Sequence, residues 1–247
     1  MIELEMRNEI ALVHPAHGKV NALDVELLDA LTATIEKVAD SGARAVVLYG
    51  TGSTFCAGVD LRRVLAEGED YAQALITALA RTFRAWFTAP LPVVAAINGH
   101  AIAGGCVLVA AADRRLAAET PTARIGASEI RVGVPFPASA MELVISAAGA
   151  ERAEEIILGA ALYSPAEAQQ VGLVHRLCPP EWLLEEAIVE ARSLGHGSPI
   201  AYARAKQYLR AAAVARIDAA AQHDVEVARI WAAADTRDRI AAAMANR

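Results

Sequence analysis

Short apolar stretches alternate along the chain with patterns that favour amphipathic helices. Residues 9–15, 43–50 and 91–98 have the composition of buried strands, and residues 24–40 carry apolar side chains at helical spacing. Strands that are separated by helices and buried on both faces pair in parallel, with the helices packed on the sheet. The sequence therefore predicts an α/β fold of repeated β-β-α units up to residue 190.

The C-terminal part of the chain has a different pattern, because it is helical nearly throughout from residue 181 onward. Ser-Pro pairs at 164–165 and 198–199 mark helix starts, since serine caps free N–H groups and proline fits the first helical position. We predict a core over residues 1–190 and a helical segment over residues 191–247.

The composition limits the kinds of partner that the protein can bind. The chain has 247 residues, of which 55% are hydrophobic, and is long enough to bury a large core. Its net charge of −6 argues against nucleic-acid binding. The longest apolar run, residues 101–112, is shorter than the ~20 residues of a membrane span, and the acidic N-terminus shows no signal peptide. We therefore expect a soluble, cytoplasmic protein that binds neither nucleic acid nor membranes.

Neither the cysteines nor the histidines form a metal-binding pattern. Cys56, Cys106 and Cys178 lie far apart in apolar surroundings, which is typical of buried, reduced thiols. His14 and His17 lie in a loop with proline and glycine and have no convincing third ligand. The sequence therefore predicts no metal site.

Two glycine-rich stretches, residues 50–58 and 98–109, each follow a predicted strand. Neither has the spacing of a phosphate-binding glycine loop, and no serine lies in a GxSxG motif. Glycines at the start of a helix can leave backbone N–H groups free to bind an oxyanion. They can equally allow a helix to pack closely on a strand, and the spacing alone leaves both explanations open.

Three segments resemble the signatures of the crotonase family, also called the enoyl-CoA hydratase/isomerase superfamily: FCAGVDL (55–61), PVVAAINGHAIAGGCVLVAAAD (92–113) and RIGASEIRVGV (124–134). Further similarity over residues 18–31, 162–177 and 198–209 extends the resemblance to nearly the whole chain. The resemblance implies a spiral of β-β-α units whose C-terminal helices mediate trimers, which can pair into hexamers. It also implies an acyl-CoA thioester substrate, with CoA as part of that substrate and no metal or redox cofactor.

The same resemblance assigns the chemistry to particular positions. In the family, the thioester oxygen binds two backbone N–H groups, which here belong to Val59 and Gly104. The hydratases carry two glutamates, of which one is retained as Glu129 and the other is replaced by Val107. One carboxylate is enough to move a proton from C2 to C4, whereas hydration commonly uses both to hold water. The resemblance therefore favours an enoyl-CoA isomerase with Glu129 as the proton shuttle.

The sequence around Glu129 suits a base. Its neighbours are apolar enough to raise its pKa toward neutrality, namely Ile130, Val132, Val134, Pro135, Phe136 and Pro137. Residues 133–144 are expected either to form an apolar wall of the acyl pocket or simply to pack at the start of a helix.

Other positions are expected to contact the substrate. The resemblance implies that Lys19 and Val20 lie near the adenine of CoA, that Arg62 lies near its phosphates, and that Lys206 reaches the CoA of a neighbouring subunit. We predict further contacts from residues in and around the three signatures: Ala57, Asp60, Gly105, Val107 and Phe136.

Alternatives to isomerisation stay open. A second carboxylate from Asp60, Glu119 or Glu142 would favour a hydratase. Other interpretations are a decarboxylase or hydrolase that acts on acyl-CoA, and a CoA-binding scaffold without activity. The retained motifs and Glu129 argue against the scaffold, which needs none of them.

Overall fold

In the computed structural model of the protein, residues 1–245 are described. Their strands are β1 (Ile2–Arg7), β2 (Ile10–Pro15), β3 (Ala45–Tyr49), β4 (Thr54–Cys56), β5 (Val93–Ile97), β6 (His100–Ile102), β7 (Arg114–Ala118), β8 (Ile125–Gly126) and β9 (Arg176–Cys178). Their helices are α1 (Val25–Asp40), α2 (Leu61–Glu67), α3 (Glu69–Thr88), α4 (Gly104–Ala111), α5 (Glu129–Val132), α6 (Ala138–Ala148), α7 (Ala150–Gly159), α8 (Pro165–Gln170), α9 (Leu183–Gly195), α10 (Pro199–Ala220), α11 (Asp224–Ala232) and α12 (Ala234–Ala245).

The strands form two sheets that the chain visits alternately. The large sheet has the order β1-β2-β3-β5-β7-β9, and the small sheet has the order β4-β6-β8. All neighbouring strands are parallel except β1 and β2. From β3 to α5, each turn of the chain adds one strand to the large sheet, one to the small sheet and then one or two helices, as in β5-β6-α4. In the first turn, both β1 and β2 belong to the large sheet. The predicted α/β spiral of β-β-α units is confirmed.

The central strands of the large sheet, β2, β3 and β5, are buried on both faces, which explains why they are almost wholly apolar. The edge strand β1 is mostly exposed. Along β3, Val46 and Leu48 belong to the main core, whereas Ala45 and Val47 belong to a second core. The second core is closed by the apolar side of α9, which contributes Leu183, Ala187, Ile188 and Ala191. The alternation follows from the opposite directions of successive side chains in a strand.

The C-terminal helices predicted from the sequence are present and pack on the rest of the chain. Helix α9 spans the predicted boundary between residues 190 and 191, so this boundary falls within a helix that covers the large sheet. Helix α11 packs on α3, and α12 contacts α2 and α5. Residues 246–247 of the predicted segment lie outside the described residues.

The surface of α10 differs from that of the other C-terminal helices. Ile200, Tyr208 and Leu209 are strongly exposed on it. Such exposed apolar side chains are compatible with the predicted homo-oligomer, which stays a prediction. Over residues 1–245, no helix combines the length and the apolar character that crossing a membrane requires.

Candidate active site

The three strands of the small sheet end at the same edge, and the segments that follow them build one pocket. Parallel pairing sets Cys56 opposite Ala101, and Ile102 opposite Gly126. The carboxyl ends of parallel strands are the usual ligand edge of an α/β sheet, because backbone groups there are unpaired. Val59 follows β4, Gly104 follows β6 and Glu129 follows β8, and all three line the pocket.

The segments after β4 and β6 touch, and this contact requires glycine at position 58. Gly58 has a φ of 85°, and a Cβ there would lie 2.8 Å from the carbonyl oxygen of Ile102. Among the described residues, the N–H groups of Val59 and Gly104 have no hydrogen-bond acceptor. For Gly104 the reason is its place as the first residue of α4, where no helical acceptor exists. Two free donors therefore lie on adjacent segments, as an oxyanion hole requires.

Ala103 holds the backbone of this region in an unusual conformation. Its φ of 54° and ψ of −125° are strained for a residue with a side chain, at a cost of about 1–3 kcal/mol. Its N–H donates to Gly126 at 2.8 Å, and its carbonyl accepts from the N–H of Val107 at 3.1 Å. These bonds tie α4 to β8 and fix the peptide unit that carries the Gly104 N–H.

Glu129, which we predicted to be the base, carries a buried carboxyl group. It is only 7% exposed, and its Oε2 has no hydrogen-bond partner among the described residues. Burial raises its pKa to about 8, although its own backbone N–H acts in the opposite direction. Its charge also contributes to raising the pKa of the Cys106 thiol, after the larger effect of burial. No other described side chain lining the pocket is ionisable.

Apolar side chains form the remaining walls of the pocket. Leu79 and Phe83 of α3 line it, and so do Val134 and Pro137 from the segment after Glu129. The expected wall from residues 133–144 is therefore present. Phe136, which we predicted to contact the substrate, is buried but does not line the pocket, since its neighbours Val134 and Pro137 occupy the wall.

The loop predicted to bind adenine lies against the segment that carries Val59. The carbonyl of Val20 accepts a hydrogen bond from the N–H of Ala57 at 3.0 Å, and Lys19 and Val20 are both exposed. Ala57 itself lines the pocket. Lys19, Val20 and Ala57 therefore lie together beside the segment that carries the free N–H group of Val59.

Asp60 and Arg62 have different environments at the start of α2. The carboxylate of Asp60 caps the helix, accepting from the N–H groups of Arg62 and Arg63 at 3.0 and 3.4 Å. Arg63 is held in ion pairs with Glu26 and Glu67. The exposed guanidinium of Arg62 has no ion pair among the described residues, so it is the available cation here. Asp60 has a structural role and does not line the pocket.

Gly105 and Val107 lie within the core rather than at the pocket. A Cβ on Gly105 would lie 2.2 Å from the carbonyl oxygen of Cys56, so this glycine permits α4 to pack on β4. Val107 is fully buried. Neither residue lines the pocket, in contrast to the predicted substrate contacts. Of the two explanations for the glycines, close packing applies to Gly105 and the free N–H applies to Gly104.

Lys206 is buried in an ion pair within its own chain. Its Nζ lies 2.7 Å from Oδ2 of Asp113 and 3.0 Å from the carbonyl oxygen of Leu91. Arg210 binds the other carboxylate oxygen of Asp113 at 2.7 Å. Lys206 lines cavities other than the Glu129 pocket. The predicted contact with the CoA of a neighbouring subunit stays a prediction.

The other candidate carboxylates do not reach the pocket. Glu142 is bound by Arg216 at 2.9 Å, and Glu119 is exposed after β7. The two loop histidines also have separate partners, because His14 bonds to Glu3 and Thr51 whereas His17 bonds to Asp24.

Several residues that line the pocket were not predicted as site residues, and Trp231 is the one farthest along the chain from the three signatures. Trp231 of α11 lines the pocket and is 2% exposed, and its indole N–H donates to the carbonyl of Pro135 at 3.0 Å. A lone tryptophan in the alanine-rich stretch VEVARIWAAAD was the only local signal.

A buried carboxyl group with a raised pKa, beside two free backbone donors at the ends of parallel strands, defines an α/β protein suited to acid–base chemistry on a carbonyl compound. The family model described as Enoyl-CoA hydratase/isomerase matches residues 5–240. The chain belongs to this family.

Some relatives are named hydratases and others are named isomerases. A protein of Thermus thermophilus named putative enoyl-CoA hydratase is 38% identical over 198 residues, which cover 77% of this chain and 76% of that protein. Human mitochondrial enoyl-CoA delta isomerase 1 is 28% identical over 190 residues, which cover 76% of this chain and 63% of that protein.

Solved structures show the same fold. The crystal structure of human mitochondrial delta3-delta2-enoyl-CoA isomerase has a TM-score of 0.94 at 24% identity, covering 99% of this chain and 97% of that one. The probable enoyl-CoA hydratase EchA3 of Mycobacterium tuberculosis has a TM-score of 0.84 at 27% identity, covering 90% and 93%. The predicted family and fold are thus confirmed.

Proposed function

We propose that the protein is an enoyl-CoA isomerase, which moves the double bond of an acyl-CoA thioester from C3 to C2. One observation carries this proposal: Glu129 is the only ionisable group that lines the pocket among the described residues. A single base can move a proton between two carbons of one substrate, whereas hydration needs a water molecule to be held and activated as well.

The reaction uses Glu129 twice. The ionised carboxylate takes a proton from C2, and the electron pair of the broken C–H bond forms a dienolate with its charge on the thioester oxygen. The N–H groups of Val59 and Gly104 donate to that oxygen, each contributing about 3–4 kcal/mol of transition-state stabilisation. Glu129 then returns the proton to C4, which leaves the double bond between C2 and C3. Substrate and product are isomers, so no cofactor is consumed.

The exposed groups around the pocket support the binding of CoA. Arg62 is a free cation for the phosphates, and the backbone of Lys19 and Val20 is close to Ala57 at the pocket. The thioester would thereby lie beside Val59, with the acyl chain between the apolar walls.

Hydration is the second candidate function. Its support is the name of the Thermus thermophilus relative, a putative enoyl-CoA hydratase at 38% identity. Glu129 would then have to position water without a second carboxylate, because valine occupies position 107, where the hydratases carry their other glutamate. Val107 is also buried in the core.

The test is to incubate the protein with trans-3-hexenoyl-CoA and to separate 2-enoyl from 3-hydroxyacyl products by mass spectrometry. We expect the 2-enoyl product, and we expect Glu129→Gln to lower kcat/KM about 10²- to 10⁴-fold, the usual contribution of a general base. Glu142→Gln is the matched control, since that carboxylate is bound by Arg216 outside the pocket.

Two results would contradict isomerisation. Rapid formation of 3-hydroxyacyl-CoA from trans-2-hexenoyl-CoA, at a rate above that of double-bond movement, would establish hydration instead. Equal activity of the Glu129→Gln variant and the wild type would show that another group moves the proton.

A further inference from the structure

We propose that Trp231 closes the acyl pocket and restricts the substrate to short acyl chains. This inference rests on the proposed function, because it assumes that the pocket beside Glu129 receives an acyl chain. The sequence signatures of the site do not include Trp231, which lies about a hundred residues after Glu129 in α11.

The first support is the size of the pocket. Its volume is about 40 Å³, which is room for roughly three groups of the size of water. The reacting part of a 3-enoyl thioester already extends from C1 to C4. The walls would therefore have to move apart to admit further carbon atoms.

The second support is the arrangement of aromatic rings in the wall. Phe83 of α3 approaches the oxyanion hole, since its Cζ would lie 3.8 Å from a Cβ built on Gly104. Trp231 lines the same pocket from α11, which packs on α3. The acyl chain therefore meets one ring fixed in the core and a second ring from the C-terminal segment.

The third support is the way in which Trp231 is held. Its indole N–H donates to Pro135, and the first residue of its helix, Asp224, accepts from the N–H of Ala138 at 2.9 Å. After the helix, Arg237 donates to the carbonyl of Leu65 at 2.6 Å. Moving the ring aside would leave a buried N–H group without a partner, which is costly. A longer chain would have to break this bond.

The experiment compares kcat/KM for trans-3-hexenoyl-CoA and trans-3-decenoyl-CoA in the wild type and in Trp231→Ala. We expect the wild type to favour the six-carbon substrate at least tenfold, and Trp231→Ala to lower this preference at least tenfold. Trp182→Ala is the matched control, since Trp182 is an exposed tryptophan away from the pocket. A wild type with no preference would overturn the inference, and so would an unchanged preference in a folded Trp231→Ala protein.

A binding measurement separates this inference from the proposed function. Calorimetry with hexanoyl-CoA and decanoyl-CoA, which cannot isomerise, reports the pocket alone. Isomerisation is wrong if neither enoyl substrate reacts. The short-chain limit still holds in that case if the wild type binds hexanoyl-CoA at least tenfold more tightly than decanoyl-CoA and the Trp231→Ala variant loses this preference. Tighter binding of decanoyl-CoA by the wild type would refute the limit. Trp231→Leu serves in both assays if Trp231→Ala does not fold.

Discussion

Glu129 is buried, and burial opposes the ionisation that a base needs. A carboxyl group buried without a hydrogen-bond partner is costly to ionise, and this cost raises its pKa to about 8. A base in water with an ordinary carboxylate pKa would remove a carbon-bound proton only weakly. Burial makes the carboxylate a stronger base, while the apolar walls keep competing donors away.

The raised pKa predicts the pH dependence of the activity. The base must be ionised to react, and in the free enzyme it is protonated below pH 8, so kcat/KM should fall about tenfold per pH unit below that value. The measurement is a pH–rate profile with trans-3-hexenoyl-CoA from pH 5 to 9. The residual kcat/KM of Glu129→Gln should not show this decrease below pH 8. A wild-type midpoint near pH 4.5 would contradict the buried-base assignment.

At the scale of residues, the sequence predicted the pocket residues that lie within short linear motifs. Val59, Gly104 and Glu129 were located from the resemblance, and all three line one pocket. Gly105 could not be interpreted in advance, because its requirement depends on the Cys56 carbonyl that faces it across the fold. Trp231 escaped detection for the same reason, since its contact with Pro135 joins distant parts of the chain.

At the scale of elements, the site depends on the close packing of α4 against β4. The buried helix α4 has apolar or glycine residues at every position, so its sequence indicates burial but not its neighbours. Strands β2, β3 and β5 were predicted because continuous apolar runs identify them, as for β5 within residues 91–98. The two- and three-residue strands of the small sheet were not predicted, because they are too short to show a pattern. The stacking of the two sheets is set by long-range pairing, which no local pattern reports.

The packing of α4 predicts different effects for two helical glycines. Gly105→Ala would place a methyl group 2.2 Å from the Cys56 carbonyl, so we expect the free energy of unfolding to fall by about 3 kcal/mol or more. Gly159→Ala is the matched control, because a Cβ at this position of α7 meets nothing within 4 Å. It should be neutral or stabilise by up to about 1 kcal/mol. Urea unfolding measures both, and equal effects would contradict the packing described for α4.

At the scale of the whole molecule, the C-terminal helices complete the wall of the pocket that the spiral of β-β-α units forms. Helix α10 is joined to the core by Lys206 and Arg210, which share the carboxylate of Asp113. Helices α11 and α12 then pack over α3, α2 and α5 around the pocket. Residues 191–245 of the predicted segment thus contribute Trp231 to the pocket wall, which their helical pattern alone did not indicate.

The buried ion pair of Lys206 predicts a loss of stability. Lys206→Met leaves Asp113 with one cation fewer in a buried position, so we expect a loss of about 3 kcal/mol in the free energy of unfolding. Thermal and urea unfolding provide the measurement, with Arg204→Met on the exposed side of α10 as the control. A purely structural role leaves KM unchanged. A rise in KM for the CoA substrate without loss of stability would favour the predicted contact with a neighbouring subunit.

The position of Trp231 also has a consequence for protein synthesis. A ribosome completes the base and both oxyanion donors well before it adds the tryptophan that closes their pocket. A chain that ends between α10 and α11 would therefore lack the proposed wall for the acyl chain. Under the proposed role of Trp231, translation through α11 is the step that would supply the selectivity for the acyl chain.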